Sequence, residues 1–351
     1  MAVAVAPGWE LASRDVAAAL EQTVAIAFVG SASSGKDSGI RALFGLDFGQ
    51  IDPVPGSTDR VRVAALDING QVLVVNTPGF GDVRKEVDAS ARAILDRVDA
   101  FVYVLNADGG ATADERSDLI ALRRLGRPIL VAVNKIDLIR PNERDDFVAA
   151  TLRQLDVSPD DAAVVAFDPH PALADAPVGI DRVAAWLHDR LADQGKGLLV
   201  ARQLRDKAAA CRGVVARAAK QAAAAGAVPL PGVDAAAVTA IQVKLILDIA
   251  AVHRHPVDRD VAVFILGEVL AAAGRGFVKW AIEAAKVAGY VPGGQIATIA
   301  ASALGASIAG ATTWGVGMAA IAYMARNGQI SGPELRDVFD AEAESWRQRR
   351  P

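Results

Sequence analysis

An apolar run, Val24 to Val29, ends in Gly30-Ser31-Ala32-Ser33-Ser34-Gly35-Lys36, and no other stretch constrains the fold as tightly. The run reads as a buried strand, and the GxxxxGK pattern behind it predicts a tight loop that opens a helix. Such a loop turns its backbone N–H groups inward and adds the positive end of the helix dipole. Nucleotide phosphates fit there, with Gly30, Ser31, Ser33, Ser34 and Gly35 forming the cradle and Lys36 reaching the terminal phosphates. The residue after the lysine is Asp37, where this loop type carries a Ser or Thr whose hydroxyl holds magnesium. Asp37 and Ser38 complete the expected nucleotide-binding loop, but Ser38 does not simply replace the missing hydroxyl, because one residue along a helix turns a side chain by about 100°.

Further motifs follow in order. Strand candidates are Val24–Val29, Val61–Ile68, Val72–Val75, Ala100–Leu105, Ile129–Val133 and Val164–Phe167, alternating with helical patterns in the rhythm of an α/β fold. Asn134-Lys135-Ile136-Asp137 closes the fifth run. A carboxylate at Asp137 can accept two hydrogen bonds from guanine N1 and N2. Adenine has no such donor pair, and leaving a buried carboxylate unpaired is costly, so ATP is the disfavoured ligand. Asn134 would tie the loops together, and the Lys135 stem would lie along the base plane. Asn76-Thr77-Pro78-Gly79, at the end of the third run, resembles the DxxG motif of GTPases, which implies a residue that holds magnesium through water at 76 and a Gly79 N–H that senses the γ-phosphate. Thr58, in Gly56-Ser57-Thr58-Asp59, is similar in position to the switch-I threonine of such proteins, which implies closure over the metal.

On these residues the region 23–193 resembles an Era-like member of the translation-factor-related GTPases. Thr77-Pro78-Gly79-Phe80-Gly81-Asp82 is similar to that family's TPGxGD second switch. The resemblance implies a P-loop NTPase fold: a mostly parallel sheet flanked by helices. It implies GTP or GDP as ligand, Mg2+ as cofactor, and Lys36, Thr58 and Gly79 as the catalytic residues. Phe80 falls where Ras-like proteins place a water-orienting glutamine, so any hydrolysis must position its water otherwise. The family's last motif supplies a backbone N–H to the guanine oxygen; its nearest match is Ala166-Phe167-Asp168, with Phe167 as the donor.

Two departures fall on the metal: Asp37 for the loop hydroxyl and Asn76 for the second-switch carboxylate. The carboxylate count of the pair is unchanged. Either Asp37 ligates magnesium directly while Asn76 bonds a metal-bound water, or the metal site has decayed. In the second case Asp37 faces the phosphates bare, and like charges about 4 Å apart repel by roughly 4 kcal/mol at an effective dielectric near 20. The rebuilt site, with Asp37, Thr58 and Asn76 around Mg2+, is the expected one, and slow turnover follows. The competing class is a pseudo-GTPase scaffold that does not hydrolyse its nucleotide.

From about residue 194 strand patterns stop and alanine dominates, so an all-helical domain over 194–351 is expected, after a helical segment over 1–22. Val238, Ile241, Leu245, Ile246 and Ile249 share one helical face. The stretch 287–325 carries no charge and is rich in small residues, long enough to span a membrane yet only mildly hydrophobic. A buried helical hairpin is the expectation there. Together with Val228 to Asp234, this half resembles a bacterial helical domain of unknown function that follows GTPase domains, some of them membrane-associated. The resemblance implies a switch that acts on a protein partner or through peripheral membrane contact. His253 and His255 read as a solvated loop, His170 and His188 as isolated residues, and the charged stretch Arg336 to Arg350 as an exposed helix.

The chain has 351 residues with a net charge of -4, so no global attraction to nucleic acid is indicated. One cysteine, Cys211, allows no internal disulfide, which makes a cytoplasmic setting the default.

Overall fold

A computed structural model describes residues 2–47, 62–77, 95–227, 233–269 and 294–348. The chain divides into two compact units: Glu21–Ala209, and Met1–Leu20 together with Ala210–Pro351.

The first unit is built on six strands: β1 (Val24–Val29), β2 (Arg62–Ala65), β3 (Val72–Asn76), β4 (Ala100–Asn106), β5 (Ile129–Asn134) and β6 (Ala162–Val164). Their spatial order is β2-β3-β1-β4-β5-β6. Only β2 runs antiparallel, joined to β3 by a hairpin at Gly70. The other pairings are parallel, which places helices on both faces. Within the described residues these are α2 (Lys36–Phe44), α3 (Ala113–Arg123), α4 (Arg144–Leu155), α5 (Ile180–Ala192) and α6 (Gly197–Gln203), after α1 (Ala2–Leu20). Alternate strand residues face opposite layers. Ala27, Val29, Phe101, Tyr103, Leu105, Val131 and Val133 pack on Leu119 and Leu122 of α3 and Leu155 of α4. On the other face Phe28 meets Phe44 of α2 edge-on, with ring centroids 6.4 Å apart. Each fully buried Val, Leu or Phe side chain among these contributes about 1.5–3 kcal/mol. A capping box on α3, Thr112 with Glu115, sets where that helix begins.

β6 begins earlier than its apolar pattern suggests. Ser158 caps a short 3-10 turn at Pro159–Asp161, and β6 starts directly after it. Val165 still bonds the β5 side, its N–H donating to the Val133 carbonyl at 2.9 Å and its carbonyl accepting the Ile136 N–H at 3.2 Å; Ala166 and Phe167 then turn toward the loops at the C-terminal strand ends. Val61 of the second run lies outside the described residues, and Ile68 is fully exposed in the hairpin.

The second unit is helical: α1, α7 (Lys207–Gly226), α8 (Val233–His253), α9 (259–269), α10 (Gly294–Ala325) and α11 (Gly332–Gln348). α1 packs on α8 through Gly8 and Ala240. It buries Ala12 and Val16, while Leu11 turns outward. Of the stretch 287–325, residues 294–325 form one continuous helix and not a hairpin; residues 287–293 lie outside the described ones. Pro292 and Gly293 precede this helix in sequence and Gly294 opens it, so the cluster does not interrupt it. Its small residues set how closely its neighbours approach. A Cβ on Gly226 would lie 2.7 Å from the Gly305 carbonyl oxygen, and one on Gly317 would lie 2.7 Å from Val215 Cγ1. Gly305–Ala325 and Ala236–His253 are each long and apolar enough to cross a membrane, and 67% of the first is buried within the protein. α11 is not merely an exposed charged helix: Leu335, Phe339 and Ala343 are buried, and Trp314 stacks near Trp346 at 5.0 Å.

Candidate functional site

The loop after β1 sits between β3 and β4, its neighbours on either side, at the C-terminal edge of the sheet. Open parallel sheets bind ligands at such a crevice. The loop's backbone is built on residues in the left-handed region: Gly30 at φ 139°, Ser33 at 58° and Gly35 at 98°. Glycine is needed at Gly30 and Gly35 for space as well. A Cβ on Gly30 would overlap the Val104 carbonyl oxygen, and one on Gly35 would overlap Asn134 Nδ2. Lys36 closes the loop from within. Its Nζ donates to the Gly30 carbonyl at 3.1 Å and the Ser31 carbonyl at 2.8 Å. Burial lowers its pKa from the usual lysine value, with the neighbouring Asp37 charge acting in the opposite direction. Ser34 is fully buried, and its Oγ has no partner among the described residues. Ser38 lies half-buried on the first turn of α2.

Asn134, at the end of β5, links three parts of the site. Its Nδ2 donates to the Ser34 carbonyl at 2.8 Å, and its Oδ1 accepts the Phe167 N–H at 3.0 Å. The phosphate loop and the turn after β6 therefore hang from one buried side chain. Lys135 adopts φ 63°, which turns the chain so that Asp137 follows on a short 3-10 turn. Arg144, at the start of α4, braces this loop by donating to the Ile139 carbonyl at 2.9 Å and the Asp137 carbonyl at 3.5 Å.

The turn after Phe167 carries residues that their sequence spacing does not single out. The Phe167 ring covers Gly39, where a Cβ would lie 2.9 Å from ring carbon Cε2. Asp168 pairs with Arg41 of α2 at 2.8 Å. The His170 N–H donates to Asp137 Oδ2 at 3.1 Å. His170 is thus no isolated residue, although only the fold brings it to Asp137.

At the positions where the sequence leads one to expect a metal, Asn76 Nδ2 donates directly to Asp37 Oδ1. The two departures of the sequence therefore meet. Asn76 is buried, and its Oδ1 has no partner among the described residues. Asp37 lies in the first turn of α2, where the helix dipole favours a negative charge. A carboxylate and an orphaned amide oxygen side by side form a donor set of the kind a hard divalent cation takes, so these residues fit magnesium. Among the described residues no group of three or more His, Cys, Asp or Glu clusters as a metal site. Thr58 and Gly79, with the rest of the second switch from Pro78, lie outside the described residues.

Residues 25–135 match the family described as 50S ribosome-binding GTPase, and residues 190–347 match Domain of unknown function (DUF697). The fold and these matches define a P-loop GTPase domain followed by a helical domain of unknown function. Among similar proteins, GTPase Der of Mycolicibacterium vanbaalenii is 30% identical over 175 residues, 47% of this chain and 34% of Der. The probable GTP-binding protein EngB of Gemmatimonas aurantiaca is 29% identical over 177 residues, 48% of this chain and 82% of that protein. A crystal structure of a probable GTP-binding protein engB aligns with TM-score 0.37 at 18% identity, covering 48% of this chain and 100% of that one. The chain spans about a third of the length of the first Der relative it matches.

Proposed function

We propose that this protein is a slow, magnesium-dependent GTPase switch whose helical unit carries the output. The observation that supports this most is the reach of Asn134. One buried amide holds both the phosphate loop and the turn beside Asp137, as a site that reads phosphates and base together requires. Loop N–H groups and Lys36 bind the phosphates, which take the place of the Gly30 and Ser31 carbonyls as acceptors for Nζ. Asp137 accepts from guanine N1 and N2, and the Phe167 region closes over the base. Asp37 and Asn76 would hold magnesium, with Thr58 joining them as the third ligand. The metal, when bound, would neutralise charge on the terminal phosphates. Lys36 and the loop N–H groups stabilise the charge that develops as water attacks the γ-phosphate.

The helical unit would meet a protein partner in the cytoplasm, or a membrane surface through its apolar helices; co-sedimentation with anionic vesicles separates these outcomes. A second reading draws on the same Asp37–Asn76 contact. If that hydrogen bond persists with nucleotide present, Asp37 Oδ1 stays committed to Asn76 rather than to a metal, and the protein is a binder that does not hydrolyse. Displacement of a fluorescent GDP by GDP, GTP and ADP tests the nucleotide site. The expected result is displacement by both guanine nucleotides and at least about a hundredfold weaker displacement by ADP, since ADP leaves the Asp137 carboxylate unpaired. Equal displacement by ADP contradicts the reading.

A further inference from the structure

We propose that His170 is a positioning residue for guanine recognition: it sets the carboxylate of Asp137 through a turn that its own side chain holds closed. The proposal rests on Asp137 being the base-reading group. No other hydrogen bond to the Asp137 carboxylate is present among the described residues; Oδ2 accepts the His170 N–H at 3.1 Å. A carboxylate oxygen has two lone-pair sites, so Oδ2 can keep this bond and still accept from the base. Without an anchor, the side-chain rotamers of Asp137 stay open, and the entropy of fixing them falls on ligand binding.

That anchor is only as firm as the turn that carries it. The imidazole Nδ1 of His170 accepts the Ala172 N–H at 3.2 Å, which closes the side chain over its own backbone two residues on. The His170 carbonyl accepts from Leu173 at 2.8 Å and Ala174 at 3.2 Å. Upstream, Pro169 fixes φ, and Asp168 is tied to Arg41 of the phosphate-loop helix. His170 therefore acts as an Asx-like residue, accepting from the i+2 N–H while its own N–H points at Asp137. An asparagine reproduces this geometry, because its side-chain oxygen makes the same i+2 bond. An alanine does not.

The test is the discrimination between GDP and IDP, which differ only in the 2-amino group that Asp137 would receive. Wild type, His170→Ala and His170→Asn are compared by displacement of fluorescent GDP, with ADP as control. Wild type is expected to prefer GDP over IDP by about tenfold or more, the worth of one hydrogen bond to a charged group. In His170→Ala, GDP affinity should fall about five- to tenfold while IDP affinity falls less, so that the ratio shrinks. His170→Asn should restore both. Loss of folding in His170→Ala is visible in its thermal transition, and His170→Asn then carries the test alone. An unchanged GDP/IDP ratio in His170→Ala overturns the proposal, as does a His170→Asn variant no better than alanine. If wild type does not prefer GDP over ADP, the base-reading role of Asp137 fails first and this proposal falls with it.

Discussion

Asp37 and Asn76, the two departures of the sequence at the expected metal site, meet in a single hydrogen bond. The acceptor sits on the helix and the donor on the strand. Asn76→Asp would set two carboxylates against each other, and a shared site cannot hold both ionised without a cation. In chelator this variant should melt several degrees below wild type, and magnesium should return most of the loss even without nucleotide. Thermal unfolding in both buffers checks this; equal sensitivity of wild type and variant to magnesium contradicts it. Lys36 allows a second prediction. Burial depresses its folded-state pKa below the unfolded value, so the folded protein binds fewer protons between the two. The burial penalty is full below the folded pKa and is relieved as pH rises through the window toward the ordinary lysine value. Lys36→Met should therefore raise the melting temperature at neutral pH while abolishing nucleotide binding, and its advantage should shrink as pH rises toward the ordinary lysine value. Denaturation at a series of pH values reads the slope. Gly35→Ala forces a Cβ into Asn134 at a positive φ, and nucleotide affinity should fall at least about tenfold.

Among the elements, β1, β3, β4 and β5 are plain in the sequence because central parallel strands are continuous apolar runs. The motifs that hang from them are legible for the same reason: each follows a strand end. β6 reads late because its apolar run continues through Val165, which still bonds the β5 side, into Ala166 and Phe167, which turn into the site. Arg41, Asp168 and His170 carry no local signature, since each takes its partner from an element far away in sequence. α10 is ambiguous in the sequence because its alanine and glycine pattern suits a close-packed core and a membrane span equally. Packing identifies α11 as more than a charged surface helix. Phe339 lies against Gly315, where an added Cβ would be 2.6 Å from ring carbon Cε2. Gly315→Ala should lower the melting temperature by several degrees through overpacking, at a cost of about 1–3 kcal/mol. Phe339→Leu in the same chain should return part of it, and additive losses by calorimetry would contradict direct packing.

In the molecule as a whole, α1 belongs to the helical unit although it begins the chain, so the nucleotide unit is inserted between α1 and the rest of its partners. Removing residues 2–20 should expose the α8 face and destabilise the helical unit, while residues 21–209 should keep their affinity for GDP. Limited proteolysis with and without GDP separates the two effects; loss of GDP binding on this truncation contradicts the division. Both ends of the nucleotide unit lead into helices of the other unit, and a switch at Asn76 and the residues after it would have two covalent routes outward. The most direct measurement is single-turnover GTP hydrolysis by the full-length protein, in magnesium and in chelator, beside Lys36→Ala. Phosphate release that needs magnesium and disappears in Lys36→Ala is the predicted result. Bound GTP with no release in either buffer would contradict hydrolysis and leave a nucleotide-binding scaffold.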